Sequence, residues 1–130
     1  MNYIKHKSDE SMEDYLETIL SLQQKNGFVR SIDVATELGF TKASVSVAMK
    51  NLREKELITM AENGYITLTE SGLSKAEIVL ERHTLLSDWL IRLGVSEQVA
   101  KEDACRIEHD ISEETFNALK KHWIIFTKQV

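Results

Sequence analysis

This chain has no proline, and only five glycines interrupt its 130 residues. Proline breaks a helix interior and a mid-helix glycine costs about 1 kcal/mol against alanine, so long helices parted at glycines are the expected layout. The hydrophobic spacing agrees. Met12, Tyr15, Leu16, Ile19 and Leu22 form a helical stripe, with Ser8 or Ser11 as N-cap and Gly27 as the stop. Ser31 caps a short helix over residues 32–38 that Gly39 ends, and Thr41 caps a third over residues 42–55. Two short helices across a tight glycine turn form a helix-turn-helix pattern. Residues 57–61 and 65–68 flank Glu62-Asn63-Gly64 and read as a β-hairpin with an Asn-Gly turn. A helix is then expected from Glu70 or Ser71 to Leu93, closed by Gly94, another from the cap Ser96 to Ile111, and a last one opening at Ser112-Glu113-Glu114-Thr115. The fold class is mainly α: an N-terminal winged helix-turn-helix with a small β-hairpin wing over residues 1–70, and an α-helical domain over residues 71–130.

Composition narrows the function classes. Hydrophobic residues at 42% allow a real core. No apolar run approaches the ~20 residues of a membrane span, and the start MNYIKHKSDE lacks a signal-peptide core. The single cysteine, Cys105, has no partner for an internal disulfide. A cytoplasmic protein with a reduced thiol and no membrane partner is the expectation. The net charge of −5 weighs against nucleic acid as a partner, but residues 25–55 carry six basic and three acidic side chains, a local excess of +3.

That excess falls on the helix-turn-helix. Val45, Ala48, Met49 and Leu52 make the inner face of the third helix, and Ala43, Ser46, Val47 and Lys50 the outer one. An outer face of small or polar side chains can enter the ~12 Å major groove of double-stranded DNA. Thr41, Lys42, Ala43, Ser44, Ser46, Val47, Lys50 and Asn63 are the candidate DNA-binding residues: hydroxyls for phosphates or base edges, Val47 for a thymine methyl, lysines for phosphates and Asn63 at the wing tip. No Arg, Asn or Gln marks the central turns of this face, so readout of DNA shape is expected to share the specificity. Winged helices also serve as protein–protein modules, and that alternative stays open.

The helical part carries different chemistry. Cys105, Glu108 and His109 stand at i, i+3 and i+4, which puts a thiol, a carboxylate and an imidazole on one helix face. His83 interrupts the apolar line Ala76, Val79, Leu80, Leu86 and Leu90, and Asp14 and Glu17 sit at i, i+3 on the first helix. Each has a plain structural explanation as well: a core histidine for His83, and acids favoured by the N-terminal helix dipole for Asp14 and Glu17. Carboxylate, imidazole and thiolate together suit Mn²⁺, Fe²⁺, Co²⁺ or Zn²⁺. Phe116, Leu119, Trp123 and Phe126, with Trp89, provide an apolar stripe that either covers neighbouring helices or joins two copies. A metalloenzyme is a further alternative, though no phosphate loop or nucleophile–base pair accompanies the ligands.

SMEDYLETI (residues 11–19), the winged helix, ERHTLL (residues 81–86) and EDACRIEHDIS (residues 102–112) occur in an order and at separations that resemble the diphtheria-toxin-repressor family of metal-dependent transcriptional repressors. The resemblance spans residues 11–121, and the ACRIEH segment is its most specific part. It implies a homodimer that binds palindromic operator DNA, controls metal-uptake genes, and takes Mn²⁺ or Fe²⁺ as cofactor, with Co²⁺, Ni²⁺ or Zn²⁺ possible in vitro. It also implies metal ligation by Asp14, Glu17, His83, Cys105, Glu108 and His109. Asp14 and Glu17 match the manganese-responsive branch, His83, Glu108 and His109 match both branches, and Cys105 matches the iron branch and some manganese-responsive members. Ending after the sixth helix is expected to match the short manganese regulators. Ser87 and Lys101 depart from the iron branch, which has a glutamate and a histidine in an ancillary site there. A winged-helix regulator indifferent to metal is the remaining alternative.

Overall fold

A computed structural model describes the backbone over residues 7–128 and the side chains over residues 11–124. The elements run α1 (Lys7–Asn26), α2 (Ser31–Leu38), α3 (Lys42–Glu54), β1 (Ile58–Met60), β2 (Ile66–Leu68), α4 (Glu70–Arg92), α5 (Glu97–Asp110) and α6 (Glu113–Lys128). Two compact units part inside α4, one ending at Val79 and the other beginning at Leu80. The sequence reading places its boundary earlier, at residue 70.

In the N-terminal unit α1 packs against α2, α3 and β2. Leu16, Ile19, Val29, Val34, Val45, Met49 and Ile58 are nearly or fully removed from solvent and make its core. The expected stripe of α1 is present, with Leu20 added to its buried set. Its start differs from expectation: the helix runs through Ser8 and Ser11 rather than being capped by either. Gly39 ends α2 in the left-handed conformation that only glycine adopts cheaply, with φ 69°. The cap of α2 shifts by one residue. Arg30 is the N-cap, and its backbone N–H donates to the Asp33 carboxylate at 2.9 Å, so Asp33 rather than Ser31 satisfies the helix start.

The end of α3 carries no glycine. Glu56 itself takes the left-handed conformation (φ 59°), and the Leu57 N–H donates to the Leu52 carbonyl at 2.9 Å, closing a Schellman-type turn. The hairpin then pairs Ile58 with Leu68 and Met60 with Ile66. Its turn is longer than a two-residue Asn-Gly connection. The Gly64 N–H donates to the Ala61 carbonyl, Ala61 N–H to the Tyr65 carbonyl, and only Gly64 within the turn has positive φ. Asn63 keeps negative φ, and its side chain accepts from the Tyr65 N–H at 3.1 Å instead. Ile66 N–H reaches the Val29 carbonyl, tying the wing to the segment before α2.

Thr69 caps α4, a role that the sequence pattern, starting the helix at Glu70 or Ser71, does not reveal. Its hydroxyl donates to the Glu56 carbonyl at 2.7 Å and accepts from the Gly72 N–H at 3.1 Å. Here α4 meets the chain leaving α3 so closely that a Cβ on Gly72 would collide with the Leu57 carbonyl.

In the C-terminal unit Gly94 (φ 104°) closes α4 as expected. Ser96 is the N-cap of α5 by position but makes no side-chain cap bond, and Ile111 is its C-cap rather than its last residue. Ser112 accepts from the Thr115 N–H at 3.1 Å and caps α6. Leu85, Leu86, Ala100, Ala104 and Phe116 make the apolar interior of this unit. Phe116, of the stripe expected either to cover neighbouring helices or to join two copies, is buried beneath the Arg82 guanidinium within the unit, while the side chain of Phe126 lies outside the described residues. Among the described residues no helix is long and apolar enough to cross a membrane.

Gly72→Ala should cost about 1–3 kcal/mol, because backbone rather than a flexible side chain must yield. The urea midpoint measures it, and a midpoint at or above that of the unsubstituted protein would refute the close approach.

Candidate metal centre and nucleic-acid interface

The metal-ligand candidates of the C-terminal unit stand on two helices. On α5 the i, i+3, i+4 spacing brings one ligand atom each of Cys105, Glu108 and His109 within 4.8 Å of one another. From α4, His83 places Nδ1 3.2 Å from Glu108 Oε2, and His109 Nε2 lies 3.5 Å from Glu108 Oε1. Glu108 and His109 are each 1% exposed, while Cys105 is half-buried and the His83 side chain retains 24% exposure. Burying a carboxylate costs several kcal/mol unless nearby groups compensate. This one is flanked by two imidazoles with a thiol beside it, a donor set that fits a first-row divalent cation. His83 is thus drawn toward a carboxylate, not satisfied in an apolar core.

Asp14 and Glu17 belong to the N-terminal unit, half-buried on α1. Since α1 reaches back to Lys7, both lie beyond its first turn. The dipole of a helix acts within its first turn, so it does not explain these two acids. Of the two departures from the iron branch, Ser87 is buried at 5% exposure, one turn after His83 on α4, and the exposed Lys101 ammonium pairs with Glu97 at 3.0 Å.

On the winged helix, Thr41, Lys42, Ala43, Ser44, Ser46, Val47 and Lys50 are all exposed, and Val45, Met49 and Leu52 are buried as the spacing predicts. Val47, an aliphatic side chain 61% exposed, is the residue of this face least at ease in water. Two hydroxyls turn out to be engaged locally. Thr41 Oγ1 accepts from the Ser44 N–H at 3.2 Å, and Ser44 Oγ donates to the Thr41 carbonyl at 3.1 Å. The outward chemistry of α3 therefore rests on Lys42, Ala43, Ser46, Val47 and Lys50. Sequence reasoning missed Arg30, whose guanidinium lies 4.5 Å over the Tyr65 ring, itself stacked on Phe28 at 5.3 Å. No local spacing links residues 28–30 to residue 65; the Val29–Ile66 hydrogen bond does.

A helix-turn-helix with a β-hairpin wing, followed by helices carrying a carboxylate–imidazole–thiol cluster, is the architecture of a winged-helix transcriptional regulator. Family models match on both sides of this division: the iron dependent repressor N-terminal DNA binding domain over residues 8–67, and the iron dependent repressor metal binding and dimerisation domain over residues 69–123. The chain is 36% identical over 111 residues to the transcriptional regulator MntR of Escherichia coli O157:H7, covering 85% of this chain and 72% of that one. It is 33% identical over 113 residues to an HTH-type transcriptional regulator of Methanocaldococcus jannaschii, covering 85% and 90%. Among solved structures, a manganese-dependent transcriptional repressor in complex with manganese superposes with a TM-score of 0.78 at 26% identity, over 86% of this chain and 52% of the other. IdeR of T. acidophilum gives 0.76 at 25% identity, over 95% and 55%. The chain spans about half the length of those solved structures. It belongs to the iron-dependent repressor family of transcriptional regulators.

Thr41→Ala should lower stability by about 1 kcal/mol through loss of the α3 cap. Thermal unfolding measures this, and an unchanged midpoint would show that the hydroxyl serves something other than the cap.

Proposed function

We propose that this chain is a metal-responsive transcriptional repressor that binds palindromic operator DNA as a homodimer in the cytoplasm and governs metal-uptake genes. The observation that carries the reading is the buried Glu108 carboxylate, held within 3.2 Å of His83 and 3.5 Å of His109. His83, Cys105, Glu108 and His109 would hold the cation, and Asp14 and Glu17 of α1 complete the set. Bound there, the metal supplies positive charge that offsets the carboxylates and joins the helices bearing them. Mn²⁺ or Fe²⁺ is the proposed metal, with Mn²⁺ favoured by Asp14 and Glu17, and Co²⁺, Ni²⁺ or Zn²⁺ are substitutes in vitro. Affinity alone does not select among these ions, because it follows the same order at most sites of this kind.

On this reading the switch is a difference in affinity. Without metal, the carboxylates of Asp14, Glu17 and Glu108 repel one another and α1 is released. With metal, α1 is fixed, and two winged helices in a dimer are held about 34 Å apart or a small multiple of that, matching successive turns of DNA. A metal that binds the DNA-competent state ~5.5 kcal/mol more tightly moves the population from 1:99 to 99:1. For the dimer contact, Leu85, Trp89, Leu93, Leu119 and Trp123 line an apolar groove of about 190 Å³ on the C-terminal unit, which supports a second copy as its cover. At the DNA surface, Lys42 and Lys50 neutralise phosphates, Ala43, Ser46 and Val47 face the groove, Thr41 and Ser44 hold the start of α3, and Asn63 shapes the wing tip.

The test is DNA-binding affinity in metal and in chelator, on a palindrome selected from random sequence by metal-loaded protein. The expected gain with Mn²⁺ or Fe²⁺ is about 5–150-fold, lost in Cys105→Ala and His109→Ala. Equal affinity with and without metal would refute the switch and leave a winged-helix regulator indifferent to metal. On the same DNA, Lys50→Ala should weaken binding to all sequences alike and reduce the salt slope by about one.

A further inference from the structure

Arg82 stands beside His83 on α4, yet its guanidinium serves backbone and not the neighbouring carboxylate. Nη1 donates to the main-chain carbonyls of Glu108 and Ile111, each at 3.2 Å. These carbonyls belong to the last turn and C-cap of α5, where helix geometry leaves acceptors without partners and concentrates partial negative charge. The same guanidinium lies over the Phe116 ring in the first turn of α6, 5.2 Å from its centroid. Next to it, Glu81 accepts from Lys120 of α6 at 2.8 Å. The two residues before His83 thus fasten α4 to the end of α5 and to α6. One acceptor is the backbone of Glu108 itself, so Arg82 ties the stretch of α4 that carries His83 to the residue that carries the carboxylate. Because the guanidinium bonds to carbonyls, it also leaves both Glu108 oxygens directed to the imidazoles, Oε2 to His83 and Oε1 to His109.

We propose that Arg82 is a positioning residue for the metal centre: it fixes His83 on α4 against Glu108 and His109 on α5, an inference that rests on the metal reading of that cluster. Groups that orient metal ligands from behind change affinity by about 10–100-fold when removed, because the ligands no longer converge without distortion. A residue that only stabilises the fold would lower the unfolding midpoint and leave the affinity of the folded protein alone.

The experiment is a Co²⁺ titration of the full chain, followed by visible d–d absorption, with unfolding of the metal-free protein recorded beside it. Arg82→Met should bind Co²⁺ about tenfold more weakly and with altered band intensities. Arg82→Lys keeps the charge without the planar stack on Phe116, and should fall between Arg82→Met and the unsubstituted protein. A folded Arg82→Met with unchanged affinity and spectrum would overturn the role of Arg82 alone. If Arg82→Met does not fold, Arg82→Lys decides: unchanged affinity and spectrum overturn the proposal, and weakened binding with altered bands upholds it. The unsubstituted protein and His109→Ala taking up Co²⁺ alike would overturn the metal reading first, and this proposal with it.

Discussion

The buried carboxylate of Glu108 is the constraint around which the C-terminal unit is arranged. The inner face of α5 runs Ala100, Ala104, Glu108, with His109 beside it, all at or near zero exposure. Two alanines contribute little apolar area, so this helix is not held by a leucine stripe. Glu108 on that face is a charged group in a setting where desolvation opposes it. Two imidazoles flank it, one from the same helix and one from α4. Arg82 bonds the carbonyl side of the same residue, so Glu108 is fixed through both its side chain and its backbone. Such an arrangement is poor as a device for stability alone, since well-packed apolar residues would serve better. As a seat for a divalent cation it is coherent, because a bound ion would supply the positive charge that balances the carboxylate.

The winged helix is organised by a different economy. Its exposed α3 face is small-sided and only modestly basic, and two of its hydroxyls are engaged at the start of α3. On the proposed function, positioning on DNA would rest on Lys42 and Lys50, with Val47 and the small residues allowing close approach. A surface with few strong base-reading groups gains from having two copies presented at a fixed spacing, because each half contributes little discrimination alone. That requirement links the weak code of α3 to the cluster on α5 in the proposed switch.

Much of this was legible in the sequence, for identifiable reasons. Gly39 and Gly94 end helices as glycine should, Thr41 caps α3, and the i, i+3, i+4 spacing of Cys105, Glu108 and His109 brings three ligand groups together as helix geometry requires. What escaped depends on tertiary contacts or on residues acting against type. Glu56 in a left-handed conformation ends α3 with no glycine to announce it. Asp33 displaces Ser31 at the start of α2, and Thr69 caps α4 because the Glu56 carbonyl is there to receive its hydroxyl. The Asn-Gly pair does not form the centre of a two-residue turn: only Gly64 takes positive φ, in the three-residue loop that the Ala61–Tyr65 hydrogen bond closes. Arg82 is the clearest case: its acceptors lie 26 and 29 residues away, beyond any periodic pattern.

The central claim is that Glu108 is a metal ligand and not merely the partner of two histidines, and its isosteric amide separates these roles. Equilibrium dialysis of Mn²⁺ against the unsubstituted protein and Glu108→Gln, with the unfolding midpoint of each measured in chelator, is the direct test. Glu108→Gln should lower Mn²⁺ affinity by at least about tenfold, while the chelator-treated variant is no less stable than the unsubstituted protein. Unchanged Mn²⁺ affinity together with a loss of stability would contradict it.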